Sequence, residues 1–134
     1  MSCPSMINTV ATNVSVEADQ QGPLGSVVRR YGRNLVLDGT GINAIGQGYY
    51  DIRASLTFTP TATAPVTIQF YQDGMAIQGA TATTQGTAAT PLNLSVIGTA
   101  RNTCCNRCNQ NSTLTYAISE AGVINNLSTK ISKE

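Results

Sequence analysis

The feature that most constrains the fold is a strict two-residue alternation from Tyr49 to Phe58. Apolar side chains occupy every second position, at Tyr50, Ile52, Ala54, Leu56 and Phe58. Successive side chains of a β-strand point to opposite faces, so this pattern predicts a strand that is buried on one side. Val, Ile and Thr make up 37 of the 134 residues, whereas Lys and Glu together make up five. Since β-branched residues favour strands and Lys and Glu favour exposed helices, the composition also predicts an all-β chain.

Further apolar segments are separated by turn signals. Val66, Ile68 and Phe70 alternate, and Asp73-Gly74 after them predicts a two-residue hairpin, because both positions accept a positive φ. The other short apolar segments lie within residues 26–28, 35–37, 92–96, 114–118 and 123–131. The chain therefore predicts eight to ten short strands without a helical period, which is typical of an antiparallel sandwich or jelly roll.

The first 24 residues differ from the rest. They are mostly polar and contain one alternating stretch, Val10, Thr12, Val14 and Val16, which predicts that these four side chains share a face. A break follows at residues 20–23, where two glutamines precede Gly and Pro. We interpret residues 1–24 as an N-terminal arm or anchoring segment and residues 25–134 as a single jelly-roll domain.

The residues available for catalysis are few. The chain contains no His, which removes the commonest general base and the commonest metal ligand. No phosphate-binding loop, dinucleotide-binding glycine motif or acidic calcium loop is present. Asp38 and Asp73 belong to turns, while Asp51 and Arg53 share a strand face and are expected to pair with neighbours across the sheet. We therefore predict that the protein is not an enzyme and takes no cofactor.

Charge and hydropathy constrain the partners. A net charge of +1 argues against binding to nucleic acid or to an anionic membrane, and no run approaches the roughly 18 apolar residues of a membrane span. The first residues lack the basic and apolar regions of a secretory signal, so we expect synthesis in a cytoplasm. Charged residues make up 11% of the chain, well below the usual quarter. Much of the surface is therefore expected to be covered by copies of the chain or by a larger assembly.

The cysteines form an unusual set, with Cys104, Cys105 and Cys108 close together and Cys3 far away. Three states are open. A zinc site would need all four thiolates or sharing between subunits, because no His is present. Disulfides within or between protomers are a second state, and free thiols are the third. Redox catalysis is disfavoured because the motif has no strand-helix-strand context. We predict no metal site and keep the four cysteines as disulfide or zinc candidates.

A basic segment over residues 29–33 is the second unusual feature. Arg29, Arg30 and Arg33 place three cations within five residues. They form a candidate partner-binding patch for an acidic capsid surface or a glycan. The alternative is a solvated turn.

The order of several motifs resembles the tumour necrosis factor/complement globular-head superfamily. These motifs are Gly41-Ile42, Gly48-Tyr49-Tyr50, the aromatic-x-Asp-Gly hairpin over residues 70–77, and the basic last strand over residues 127–131. Residues 25–134 also resemble small proteins encoded by Firmicutes and their prophages, through residues 25–32, 78–82 and 112–115 and the short cysteine cluster.

The resemblance implies a ten-stranded jelly roll that forms a tight homotrimer, with its inner sheet packed around the three-fold axis. The matching Gly-x-Tyr motif implies that Tyr50, with Ile52, Leu56 and Phe70, lies either at the trimer axis or in the core of one protomer. Both placements are open.

Two departures from the superfamily guide the functional hypothesis. The sequence contains no collagen-like stretch, unlike spore-surface members, and we expect the protein to be neither secreted nor membrane-tethered, unlike cytokines. The hypothesis is a non-enzymatic phage virion protein, a trimeric capsid decoration or head-fibre knob on the particle exterior. Its partners would be itself, a capsid protein and surface glycans. The alternative is a bacterial cell- or spore-surface adhesive module that binds glycans, and a secreted cytokine-like ligand ranks third.

Overall fold

The computed structural model describes residues 5–45, 48–102 and 111–133. These residues form ten strands. The strands are β1 (Ser5–Val16), β2 (Ser26–Tyr31), β3 (Leu35–Asp38), β4 (Gly41–Ile45), β5 (Gly48–Pro60), β6 (Pro65–Gln72), β7 (Met75–Gln85), β8 (Leu92–Asn102), β9 (Asn111–Ile118) and β10 (Gly122–Lys133). The prediction of an all-β chain with eight to ten strands is confirmed.

The strands form two five-stranded sheets in which neighbouring strands run antiparallel. Sheet I has the order β2-β1-β10-β5-β8, and sheet II has the order β3-β4-β9-β6-β7. Neighbours in each sheet are mostly distant in sequence, since β10 pairs with both β1 and β5. This is the crossed connectivity of a jelly roll.

The core lies between the two sheets. The alternation that the sequence analysis identified in β5 is present, since the five apolar side chains from Tyr50 to Phe58 all point inward. Tyr116 on β9 fills the core from the opposite sheet. Its ring lies 5.7 Å from that of Phe70, and its hydroxyl donates a hydrogen bond to the Pro23 carbonyl oxygen. Burial raises the pKa of the Tyr116 phenol well above its usual range.

The N-terminal segment is part of the sandwich, which corrects the expected boundary between an arm and the domain. β1 lies inside sheet I, paired with β10 on one side and β2 on the other. Ile7, Thr9 and Ala11 are buried, and Leu24 beyond the strand is 1% exposed. The segment pairs because alternate β1 side chains supply an inward face that sheet I needs.

The hairpin between β6 and β7 was predicted correctly. Asp73 and Gly74 both have positive φ angles, 52° and 83°. The turn is also tied to β9, because the Asp73 carboxylate accepts a hydrogen bond of 2.9 Å from the Thr113 amide. The pairing of β6 with β7 then follows from a turn whose twist matches that of the two strands.

Candidate interaction face

The four residues expected at a trimer axis or in a core are buried inside one chain. Tyr50, Ile52, Leu56 and Phe70 are each at most 1% exposed. The Tyr50 hydroxyl donates a 2.9 Å hydrogen bond to the Ile45 carbonyl oxygen, and burial raises the pKa of this phenol. These side chains join the two sheets, so contacts with other molecules must come from the outer surfaces.

The described residues contain neither a metal-binding group nor a membrane-spanning helix. Cys3, Cys104, Cys105 and Cys108 all lie outside the described residues. Within the described ranges, no three Asp, Glu, His or Cys side chains come together as a group that could hold a metal ion. In the same ranges, no helix has the length and apolar character needed to cross a membrane.

The structure separates the three arginines of the basic segment. Arg29 and Arg30 lie on the edge strand β2, and Arg33 lies in the turn after it; all three are exposed. The Arg30 Nε donates a 2.8 Å hydrogen bond to the Leu35 carbonyl oxygen, so this side chain links β2 to the start of β3. Arg29 instead pairs in register with Asn8 on β1. The basic segment therefore lies at the edge of sheet I. Arg29 is also part of a larger surface.

That surface is the face of sheet I that points away from the core, called the outer face below. Two rows of short side chains cross it from strand to strand. One row contains Ser26, Val10, Ser128, Ser55 and Ser95. The other contains Thr12, Asn126, Thr57 and Asn93. Because these side chains are short, another surface can approach the sheet closely.

A third row on the outer face carries positive charge. It runs through Arg29, Asn8, Lys130, Arg53 and Ile97, one residue from each strand of sheet I. Lys130 and Arg53 are direct partners on adjacent strands, and both are exposed. Ile97 at the end of the row is 73% exposed. We call Arg29, Lys130 and Arg53 the cationic row.

The strands of sheet I are strongly basic as a group. They contain six of the eight Lys and Arg residues of the chain, namely Arg29, Arg30, Arg53, Arg101, Lys130 and Lys133. Asp51 is the one acidic residue in these strands. Its carboxylate accepts a 3.2 Å hydrogen bond from the Thr99 hydroxyl, while Arg101 lies over the Tyr49 ring, 5.5 Å from its centroid. A net charge of +1 for the whole chain conceals this asymmetry.

A shallow depression lies on the outer face, where β10, β5 and β8 run side by side. Its volume is about 290 Å³. It is lined by Arg53, Ala54, Ser55, Ser95, Val96, Ile97, Ser128 and Lys130. The residues around it include two cations and three serines but no carboxylate, and the surface that they expose inside it is mainly apolar.

Sequence reasoning missed this row because its members come from strands that are far apart in the chain. The alternation within β5 does predict that Arg53 points outward. Across the sheet, the neighbour of Arg53 on β10 is Lys130, which carries the same charge. Asp51, by contrast, does bond across the sheet, to Thr99. Only the pairing of β5 with β10 could have revealed the row.

The comparisons with known proteins concern the fold. No protein-family model and no curated protein matches the chain. Among solved structures, murine APRIL at pH 5.0 matches with a TM-score of 0.71 at 12% identity, over 98% of this chain and 100% of that chain. PRD1 vertex protein P5 matches with a TM-score of 0.61 at 10% identity, over 97% of this chain and 96% of that chain.

Sequence identities of 10% and 12% support a shared fold and nothing more specific. The match is nonetheless complete in extent, because nearly all of each chain takes part. Both neighbours are jelly rolls of the tumour necrosis factor type, and the ten strands form two antiparallel sheets of five. The chain therefore has a tumour necrosis factor-like jelly-roll fold, as its sequence motifs implied.

Proposed function

We propose that this protein is a non-enzymatic structural protein of a phage virion: a homotrimeric capsid decoration or head-fibre knob on the particle exterior, attached to a capsid protein. The observation that carries the proposal is the fold match to PRD1 vertex protein P5, which extends over 97% of the chain. A viral vertex protein thus uses this fold over nearly the same length.

The outer face of sheet I is the surface that we assign to the trimer. In a closed three-fold assembly each copy buries the same two patches, one against each neighbour, and we assign the outer face to one of them. The two rows of Ser, Thr and Asn side chains offer a flat surface of short residues across all five strands. Exposed apolar side chains at its margins, such as Tyr49 and Ile97, add area that contact with another copy would bury.

The absence of His supports the non-enzymatic part of the proposal. Two of the four aspartates, Asp51 and Asp73, accept hydrogen bonds from neighbouring strands, which assigns them a structural use. Shape and self-association are then the properties left to carry function.

The trimer is tested by the native mass of the purified chain at micromolar concentration. The chain mass is 14.0 kDa, so light scattering should give about 42 kDa. Ser55→Trp places a bulky ring in the middle of the outer face and should shift the mass to that of a monomer. Thr83→Trp makes the same change on an exposed strand of sheet II and should leave the trimer intact. A wild-type monomer would refute the trimer, and a trimeric Ser55→Trp variant would refute the chosen face.

The virion assignment is tested on particles. Phage particles from the strain that carries the gene should contain the protein, and antibody-gold labelling should place it on their outside. Recovery of the protein only in cell-wall or spore-coat fractions would contradict the virion assignment and favour the surface-adhesive alternative.

A further inference from the structure

A second depression lies on the side of sheet II that points away from the core, and we call it the sheet II depression. Its volume is about 190 Å³, and it exposes both polar and apolar atoms. It is lined by Asp19, Gln21, Tyr71, Gly74, Thr115, Tyr116 and Ala117. Drug-sized ligands occupy pockets of roughly 300–1,000 Å³, so this space fits a single ring of a larger molecule and leaves the remainder in solvent.

The register of β6 and β9 places the floor and one wall of the sheet II depression. Tyr71 on β6 and Thr115 on β9 are direct partners, and both point outward because Phe70 and Tyr116 beside them lie in the core. Ala117 lies on the same side as Thr115, two residues further along β9, and forms a short floor. Tyr71 is only half-buried, and its hydroxyl forms no hydrogen bond with another described residue. An aromatic side chain is therefore available beside a low floor.

Asp19 and Gln21 form the opposite wall, on the other side of β9. The Asp19 amide donates a 2.9 Å hydrogen bond to the Ile118 carbonyl oxygen, and Gln21 forms a β-bridge with Ala117. The side-chain oxygen of Gln21 accepts a 2.9 Å hydrogen bond from the Thr40 hydroxyl, which leaves the amide NH₂ free to donate. The Asp19 carboxylate has no hydrogen bond or ion pair within the described part of the chain. The backbone thus holds one free acceptor and one free donor facing Tyr71.

These groups match the chemistry of a neutral sugar ring. A pyranose has apolar C–H groups that contact aromatic side chains, and hydroxyls that donate and accept hydrogen bonds. Hydroxyls that donate to a carboxylate form strong, charge-assisted bonds, which Asp19 can accept. An anionic ligand is disfavoured because the one charged group in the lining is negative. An ammonium group would gain little, since an ion pair with an exposed carboxylate contributes only about 0–1 kcal/mol.

We propose that the sheet II depression binds one neutral pyranose unit of a surface glycan. The site lies on the opposite side of the sandwich from the surface assigned to the trimer, so a copy packed on sheet I leaves it open. Each trimer then presents three identical sites, and three weak sites on one particle bind a dense glycan surface more tightly than one site does. The site itself stands apart from the proposed function, whereas its multivalent use rests on the proposed trimer.

The test is a titration of the isotope-labelled full chain with the methyl glycosides of glucose, galactose, mannose and N-acetylglucosamine, followed by amide chemical shifts. At least one glycoside should bind with a Kd in the millimolar range, as is usual for one exposed ring, and should shift the amides of residues 19–21, 71 and 115–117. Asp19→Gly removes the carboxylate but accepts the same φ of 59°, so it should raise the Kd by about tenfold. Asn13→Gly is the matched control, since this exposed residue has a φ of 54° and lies outside the lining; its Kd should equal that of the wild type.

A second pair of variants tests the aromatic wall. Tyr71→Ala removes the ring and should also raise the Kd by about tenfold, because stacking and apolar contact are lost together. Tyr71→Phe keeps the ring and should bind within about threefold of the wild type. The dispersed amide spectrum shows in each case that the variant is folded.

The outcomes separate the site from its use. No shift with any glycoside at about 100 mM, shifts confined to other residues, or an unchanged Kd for Asp19→Gly would each refute the site. Methylammonium that produces the same shifts while the glycosides produce none would overturn the sugar in favour of a cationic ligand. On a surface coated with the sugar that binds, the trimer should dissociate more slowly than the Ser55→Trp monomer, although both give the same shifts. Equal dissociation would refute the multivalent use, and a wild-type monomer would refute the trimer; in both cases the shifts alone would still decide the site.

Discussion

Two buried threonine hydroxyls lack hydrogen-bond partners in the described part of the core. Thr9 and Thr129 face each other across β1 and β10, and both residues are 0% exposed. Neither Oγ1 atom has a hydrogen-bond partner among the residues that the structure describes. A buried polar group without a partner costs about 1–3 kcal/mol, whereas an apolar group of the same shape does not.

Replacing both residues should therefore stabilise the fold. We expect Thr9→Val/Thr129→Val to raise the free energy of unfolding by about 1–3 kcal/mol, measured by urea denaturation under monomeric conditions. Thr67→Val is the matched control. Its hydroxyl lies 2.8 Å from that of Thr83 on the exposed face of sheet II, so its loss should give no gain. A destabilised double variant would mean that the two core hydroxyls are bonded in solution.

At the level of single residues, much could be predicted from the sequence. The period-two pattern of β5 identified Tyr50, Ile52 and Leu56 as inward side chains, because burial of one sheet face requires that alternation. The grouping of Arg29 with Arg30 and Arg33 was less informative, since proximity in the chain says little about a shared surface. Alternate residues of a strand point to opposite faces, so neighbours in sequence are separated by the sheet.

At the level of the strands, two edge strands of the sandwich approach each other closely. β7 and β8 are edge strands of different sheets, and they meet where Gly98 faces Ala80. A Cβ atom added at Gly98 would lie 2.5 Å from the Cβ of Ala80, which is 0% exposed. No flexible side-chain end is available to move away, so only glycine permits this approach.

Gly98→Ala should therefore destabilise the protein, by about 1–3 kcal/mol as is usual for overpacking. The change to test beside it is Ala80→Gly, which frees the space on the opposite strand. In the double variant, Gly98→Ala/Ala80→Gly, part of the loss should be recovered, and the coupling energy can be read from a double-mutant cycle in urea. Additive effects in that cycle would contradict a direct contact between the two positions.

The pairing of strands explains which features of sheet I could not be predicted from the sequence. The stretch from Val10 to Val16 was expected to present one continuous face. Asn13 has a φ of 54°, and beyond it Val14 and Val16 pack against the core, whereas Val10 lies in the outer row of serines. A positive φ at a single asparagine cannot be inferred from alternation. The contact of β10 with β5, which creates the cationic row, likewise depends on long-range pairing that no local pattern encodes.

For the molecule as a whole, the question is whether the N-terminal segment is an appendage or a part of the fold. β1 is an interior strand of sheet I, so its removal would leave β10 without a partner on one side and would uncover the core. We expect a chain that begins at residue 25 to lack the dispersed amide spectrum of a folded β protein. An arm, by contrast, could be removed without that loss.

A point substitution makes the same test in the full chain. Ile7 is 0% exposed and lies in the core cluster, so Ile7→Ala should lower the free energy of unfolding by about 2–5 kcal/mol. Val28 on the edge strand β2 is 57% exposed, and Val28→Ala should change it by less than about 1 kcal/mol. Urea denaturation of both variants under monomeric conditions compares them directly. Equal and small effects would mean that β1 contributes no core, and residues 1–24 would then be an arm as the polar sequence first indicated. A large loss for Ile7→Ala alone would show that the stability of the sandwich depends on β1, a strand that lies between β2 and β10 in sheet I and supplies part of its core face.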